Sequence, residues 1–143
     1  MHRSIVLTGV LVCAFLAGAG CAGMDTKGVT DPLVKILTSQ LDVTANQAKG
    51  GLGSTLTLAK EKLQAPDFES LTKYVPGTET YMKAAKDLGA VTGPIKDQAA
   101  LETAYSKLGM GWEKVGKFSK VLSDYVGASG GEQAQSLLTS LMR

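Results

Sequence analysis

The chain is poor in the side chains that most enzymes use. Of its 143 residues one is histidine, His2, and two are cysteines, Cys13 and Cys21. His2 and Cys13 fall in the N-terminal leader described below, so a processed chain would keep no imidazole and at most one thiol. That excludes Ser-His and Cys-His nucleophile systems and His/Cys metal sites. No catalytic residue, metal ligand or cofactor is assigned, and the chain is expected not to be an enzyme. Basic clusters are missing too: 15 Lys and Arg are scattered among 13 Asp and Glu. A nucleic-acid partner would need a basic stripe, so none is expected. No stretch alternates apolar and polar residues as a half-buried strand does. Aromatics are only 6 % of the residues and glycines number 17, so the core must come from Leu, Val, Ala and Met, with close backbone approaches at glycine.

What is present starts at the N-terminus. Met1-His2-Arg3 is a short positive segment, and Ile5–Leu16 is an apolar run of 12 residues followed by Ala17-Gly18-Ala19-Gly20. This three-part pattern is that of a secretory signal peptide over residues 1–20, and the run is too short for a permanent membrane span. Two processing routes compete. Ala17-Gly18-Ala19 satisfies the A-x-A rule of ordinary signal peptidase. Gly18-Ala19-Gly20-Cys21 resembles a bacterial lipobox, in which Cys21 is diacylated and becomes the first residue. Gly18 departs from the usual Leu, Val or Ile at its position. A lone cysteine in an oxidising compartment has no disulfide partner, which favours lipidation of Cys21 and attachment to the membrane through that lipid. Ala22, where an Asp would retain a lipoprotein at the inner membrane, favours the outer membrane and a place on the periplasmic face of the envelope.

Residues 21–30 are small, polar and without periodicity, as in a tether. From Asp31 to Arg143 the chain reads as one all-α domain of six to seven short helices. Asp31-Pro32 is an N-cap with proline at the first helical position, opening a helix with Leu33, Ile36, Leu37 and Leu41 inward. Thr44–Gln47 is a capping box that starts a longer helix to about Leu63. Asp67 and Thr78 are read as caps of the next two helices. The second of these has Met82, Ala85 and Leu88 inward and ends at Gly89. Gly93-Pro94 is read as the restart of helix to Leu108. Gly109-Met110-Gly111 then leads into Trp112–Val126, which Gly127 would end. A second capping box, Ser129–Glu132, would open the last helix. Trp112, Tyr125, Phe118 and Tyr105 are assigned to the core.

Two features stand out from this frame. Gly50, Gly51 and Gly53 lie inside a helix, where each costs about 1 kcal/mol relative to Ala. No phosphate-loop spacing accompanies them. Gly51, Thr55 and Ala59 instead form a small-residue strip at four-residue spacing, a surface for close helix contact within the domain or with a partner. The other feature is an internal echo at an offset of 67, which sets Leu41-Asp42-Val43 against Leu108-Gly109-Met110 and Ala48 against Val115. Duplication of a helical pair and chance similarity of two amphipathic helices both account for it.

The segments Leu37–Leu63, Asp67–Leu71, Val75–Gly77 and Leu108–Leu138 together resemble the bacterial VcgC/VcgE family of proteins of unknown function. The most specific parts are Gln47–Gly53 and Val115–Gly131. The resemblance implies an exported, small helical domain and no chemistry. The expectation is therefore a non-enzymatic lipoprotein module that contacts an envelope protein or serves a structural role. A carrier of a small apolar ligand is the alternative, and a carboxylate-dependent hydrolase a more distant one.

Overall fold

The computed structural model describes residues 31–143, so the leader, the tether and Cys21 lie outside the described residues. Those described form seven helices and no strand: α1 (Pro32–Leu41), α2 (Ala45–Lys62), α3 (Ala65–Tyr74), α4 (Thr78–Asp87), α5 (Gln98–Lys107), α6 (Glu113–Ala128) and α7 (Glu132–Leu141). The all-α reading holds.

Local chemistry sets most of the helix ends. Asp31 Oδ1 accepts from the Leu33 amide at 3.1 Å, capping α1 with Pro32 just inside. In α2 the Thr44 hydroxyl accepts from the Gln47 amide at 3.2 Å while Gln47 Oε1 accepts from the Thr44 amide at 3.0 Å, which closes the capping box. Two orphan donors are satisfied together by that exchange. Gly89 ends α4 and Gly109 follows α5, both in the left-handed region with φ of 73° and 74°.

Other boundaries differ from the expectations. α3 starts at Ala65, so Asp67 is a first-turn charge and not the cap. Gly77, at φ 83°, is the residue before α4, and the Thr78 hydroxyl donates to the Val75 carbonyl. Gly93-Pro94 does not restart helix. The chain there is irregular, with Val91 and Ile95 buried, and Asp97 caps α5 by accepting from the Ala100 amide at 2.8 Å. α6 runs through Gly127 to Ala128, and the left-handed turn falls at Gly130. The Ser129 capping box does not form, because the Ser129 hydroxyl donates back to the Tyr125 carbonyl.

The core is one cluster to which every helix contributes. α2 is its axis: every residue from Gly50 to Ala59 is buried. α4 lies along one side of it, α5 and α1 along others, and α6 crosses it. A helix wrapped all round must be apolar or small on every face. This is the reason for its glycines, each of which admits a different neighbour. A methyl on Gly50 would meet the Leu108 and Leu88 side chains, one on Gly51 the Phe118 ring at 2.6 Å, and one on Gly53 the backbone of Tyr81. In α4 the inward residues are Thr78, Tyr81 and Ala85, while Leu88, expected inside, is 40 % exposed.

The echo is visible in the helices themselves. Moved by 67 residues, Ala65–Tyr74 of α3 becomes Glu132–Leu141, the bounds of α7. The same shift places α1 within one residue of α5 and sets Asp42, the only non-glycine described residue with positive φ (51°), on Gly109.

Candidate functional site

Three places on the described residues bear on function. The first is internal. Tyr105 of α5 is fully buried, its ring meeting Phe118 edge-on at a centroid distance of 5.2 Å. Its hydroxyl lies 2.9 Å from Thr55 Oγ1 and donates to the Gly51 carbonyl at 3.2 Å. Burial pushes the phenol well above its ordinary value, with the Thr55 bond a smaller opposing influence. Thr55 and Gly51 therefore act as the seat of Tyr105, and Ala59, four residues on, is fully buried as well. The strip Gly51, Thr55, Ala59 is used as helix contact inside the domain. A partner cannot reach it without unfolding α5 and α6.

Tyr81 is a related lock at the start of the domain. Its hydroxyl donates to Asp31 Oδ2, while the other oxygen of Asp31 caps α1. One carboxylate thus ties α4 to the first turn of α1. Burial, then the hydrogen bond and charge of Asp31, push the Tyr81 phenol upward, because the phenolate would be poorly hydrated and would face an anion. Among the described residues every buried side-chain nitrogen or oxygen has a hydrogen-bond partner.

The second place is a cleft of about 510 Å³ between α2, α4 and the irregular segment after α4. Thr57, Lys60, Met82, Lys86, Val91 and Pro94 line it. A smaller cleft of about 300 Å³ lies on the α5 side of that segment, where Lys107 Nζ donates to Thr92 Oγ1 at 3.2 Å. Both open broadly to solvent. Glu61 is the one carboxylate on the larger cleft, and no group of three or more His, Cys, Asp or Glu among the described residues could hold a metal ion.

The third place is Trp112, and here the sequence reading is overturned. The only tryptophan of the chain is 73 % exposed. It continues the inward stripe of Val115, Phe118, Leu122 and Val126 by one turn, but its neighbours stop short. α1 ends at Leu41, whose carbonyl already receives Lys114 Nζ at 2.5 Å, so no helix remains to cover the next turn. Helical spacing shows which face a residue occupies. It does not show where the neighbouring helix ends. Tyr125, also assigned to the core, is half-buried, while Phe118 and Tyr105 are inside as expected.

No curated protein and no solved structure matches the chain. A family model does, over residues 17–143, a span that takes in Gly18–Cys21 together with all seven helices. On that match the chain belongs to the family described as protein of unknown function VcgC/VcgE (DUF2780).

Proposed function

We propose that this protein is an exported helical module of the cell envelope, held to the membrane by a lipid on Cys21, that works by binding a macromolecular partner and not by catalysis. Export and tethering rest on Met1–Gly20 and on Cys21, the one cysteine outside the apolar run. The family match begins at Ala17, so the small residues and Cys21 accompany the helical domain. Binding rests on Trp112. An indole presents about 200 Å² of surface, and its burial on a partner would be worth roughly 5 kcal/mol at about 25 cal/mol per Å². Tryptophans of that worth are the usual energetic centres of protein interfaces. The two clefts favour this over the carrier reading, since they are open and mixed in lining, with Lys60, Glu61 and Lys86 beside Met82 and Val91, where an apolar ligand would need an enclosed apolar pocket.

The intact mass of the mature protein from its native host tests the tether. A chain beginning at a diacylated Cys21 is expected; an unmodified chain beginning at Gly20 would sink that half. The binding half has its own reporter, because Trp112 is the sole indole. Its fluorescence should be that of a solvated tryptophan in the isolated protein and shift to the blue with an envelope fraction. Trp112→Ala should lose the cross-linked partner while keeping the fold. An unshifted spectrum with all envelope fractions would refute the role of Trp112.

A further inference from the structure

The relation between the two ends of the domain is reciprocal, and reciprocity is the mark of a two-fold contact. α1 packs on α6 and α2 packs on α5, the same pairing with the partners interchanged. Gln47 Nε2 donates to the Leu108 carbonyl at 3.0 Å, and Lys114 Nζ donates to the Leu41 carbonyl at 2.5 Å. Gln47 and Lys114 are 67 apart, and so are Leu41 and Leu108, so each unit's second helix caps the end of the other unit's first helix. In a two-fold arrangement only residues on the axis touch their own equivalents. Gly51 and Phe118 are equivalents and are in contact, as are the helices α3 and α7. Burial keeps the same register: Val34 with Leu101, Ala59 with Val126, and Leu71 with Leu138 are all inside.

We propose that the domain is a fused dimer. Residues 31–76 and 98–143 are two copies of one three-helix unit about an approximate two-fold axis, and the surface between them accepts the same unit from a second copy of this chain. Such a surface is isologous, which is the geometry of self-association and of exchange between copies. The remaining chain fits the role of a connector. α4 packs on α2 of the first unit, and residues 88–97 cross to the second unit without helix, with Thr92, Gly93 and Pro94 exposed. The asymmetry of the units has a reason in that connector. α4 covers the side of α2 that holds Gly53, whose equivalent on α6, Lys120, has no helix above it and faces solvent. The inference does not depend on lipidation or on Trp112.

The test cuts the connector in the full chain. A protease site inserted between Thr92 and Pro94 is cleaved after folding. Both fragments should then co-elute at the size of the uncut protein with unchanged far-UV circular dichroism. Differently tagged cleaved chains, unfolded and refolded together, should give mixed pairs. Separation of the fragments on cleavage, or failure to reassemble, overturns the proposal. If the insertion itself prevents folding, the unaltered chain decides. Refolded from denaturant at rising concentration, it should yield a growing fraction of dimer with native helix content, and monomer alone at every concentration overturns the proposal.

Discussion

Replacing Gly53 by alanine should separate α4 from α2. A methyl built on Gly53 overlaps the Tyr81 carbonyl oxygen, with its carbon 2.5 Å from the Tyr81 carbonyl carbon and 2.8 Å from Ala85 Cβ. Backbone cannot rotate away as the end of a flexible side chain can, so α4 must retreat by about 1 Å to restore ordinary contact. Tyr81 and Ala85, now 3 % and 0 % exposed, would lose part of their cover. Re-exposing half of a buried tyrosine costs about 2 kcal/mol, and residual strain adds roughly 1–3 kcal/mol. Better helix propensity returns about 1 kcal/mol. The net loss is about 3 kcal/mol, a large part of the stability of a domain this size, and should lower the midpoint of thermal unfolding by about 10 °C. Gly116→Ala is the matched control. It makes the same substitution inside α6, at an exposed site with nothing within 4 Å of the new methyl, and should stabilise by about 1 kcal/mol. Urea and thermal melts followed by circular dichroism read both. If Gly53→Ala behaves like Gly116→Ala, the close approach of α4 to α2 is refuted.

Tyr105→Phe keeps the ring against Phe118 but leaves Thr55 Oγ1, on a side chain that is 1 % exposed, without its cross-helix partner. The expected loss of stability is about 1–2 kcal/mol, read as a lower urea midpoint with no change in slope. Alkali should unfold the domain through its buried phenols. The folded-state value of Tyr105 is raised above its ordinary 10.0, so its contribution is complete below pH 10 and is lost as pH rises past the point where the unfolded chain ionises. Stability should fall by about 1.4 kcal/mol per pH unit above pH 10 from Tyr105 alone. Phenolate absorbance for Tyr105 should appear only with loss of helix; its appearance in the folded protein would contradict the burial. Asp31→Ala removes the cap of α1 and the acceptor of Tyr81 together, which should cost about 2 kcal/mol. A variant as stable as the parent would disprove the lock between α1 and α4.

Much of the helix pattern could be read residue by residue. The α1 and α2 caps, the Gly89 and Gly109 ends and the placing of Leu33, Leu37 and Leu41 inside are short-range features, and the backbone follows them. The misread boundaries at Gly93-Pro94 and Gly127 share one cause. Each carries a local signal, and contacts distant in sequence decide against it, whereas at Ser129 the hydroxyl turns back to the Tyr125 carbonyl four residues away. Val91 and Ile95 hold their segment irregular by plugging into the core, and Gly127 stays helical where α7 packs against α6. Trp112 fails for a similar reason, since its periodicity is correct and its cover is absent. The repeat was faint for a different reason. Across the two units only Ser39/Ser106, Leu41/Leu108, Leu71/Leu138 and Thr72/Thr139 are identical, so the likeness resides in helix lengths, burial and the crossed bonds of Gln47 and Lys114.

The sequence by itself determined the helical class, the approximate extent of most helices, the caps of α1 and α2, and the family to which the chain belongs. The class, the extents and the two caps follow from hydrogen bonds and side-chain spacings that reach no further than four residues, while the family rests on the likeness of whole segments across residues 17–143. Only the tertiary structure decided that the glycines of α2 admit three different neighbours, that Trp112 stands in solvent, and that the two halves grip each other across an approximate two-fold axis. Each of these is a relation between residues at least 20 apart in the chain, such as Gly53 with Tyr81 or Gln47 with Leu108. Burial is fixed by which helices meet, and that is settled where the whole core packs at once.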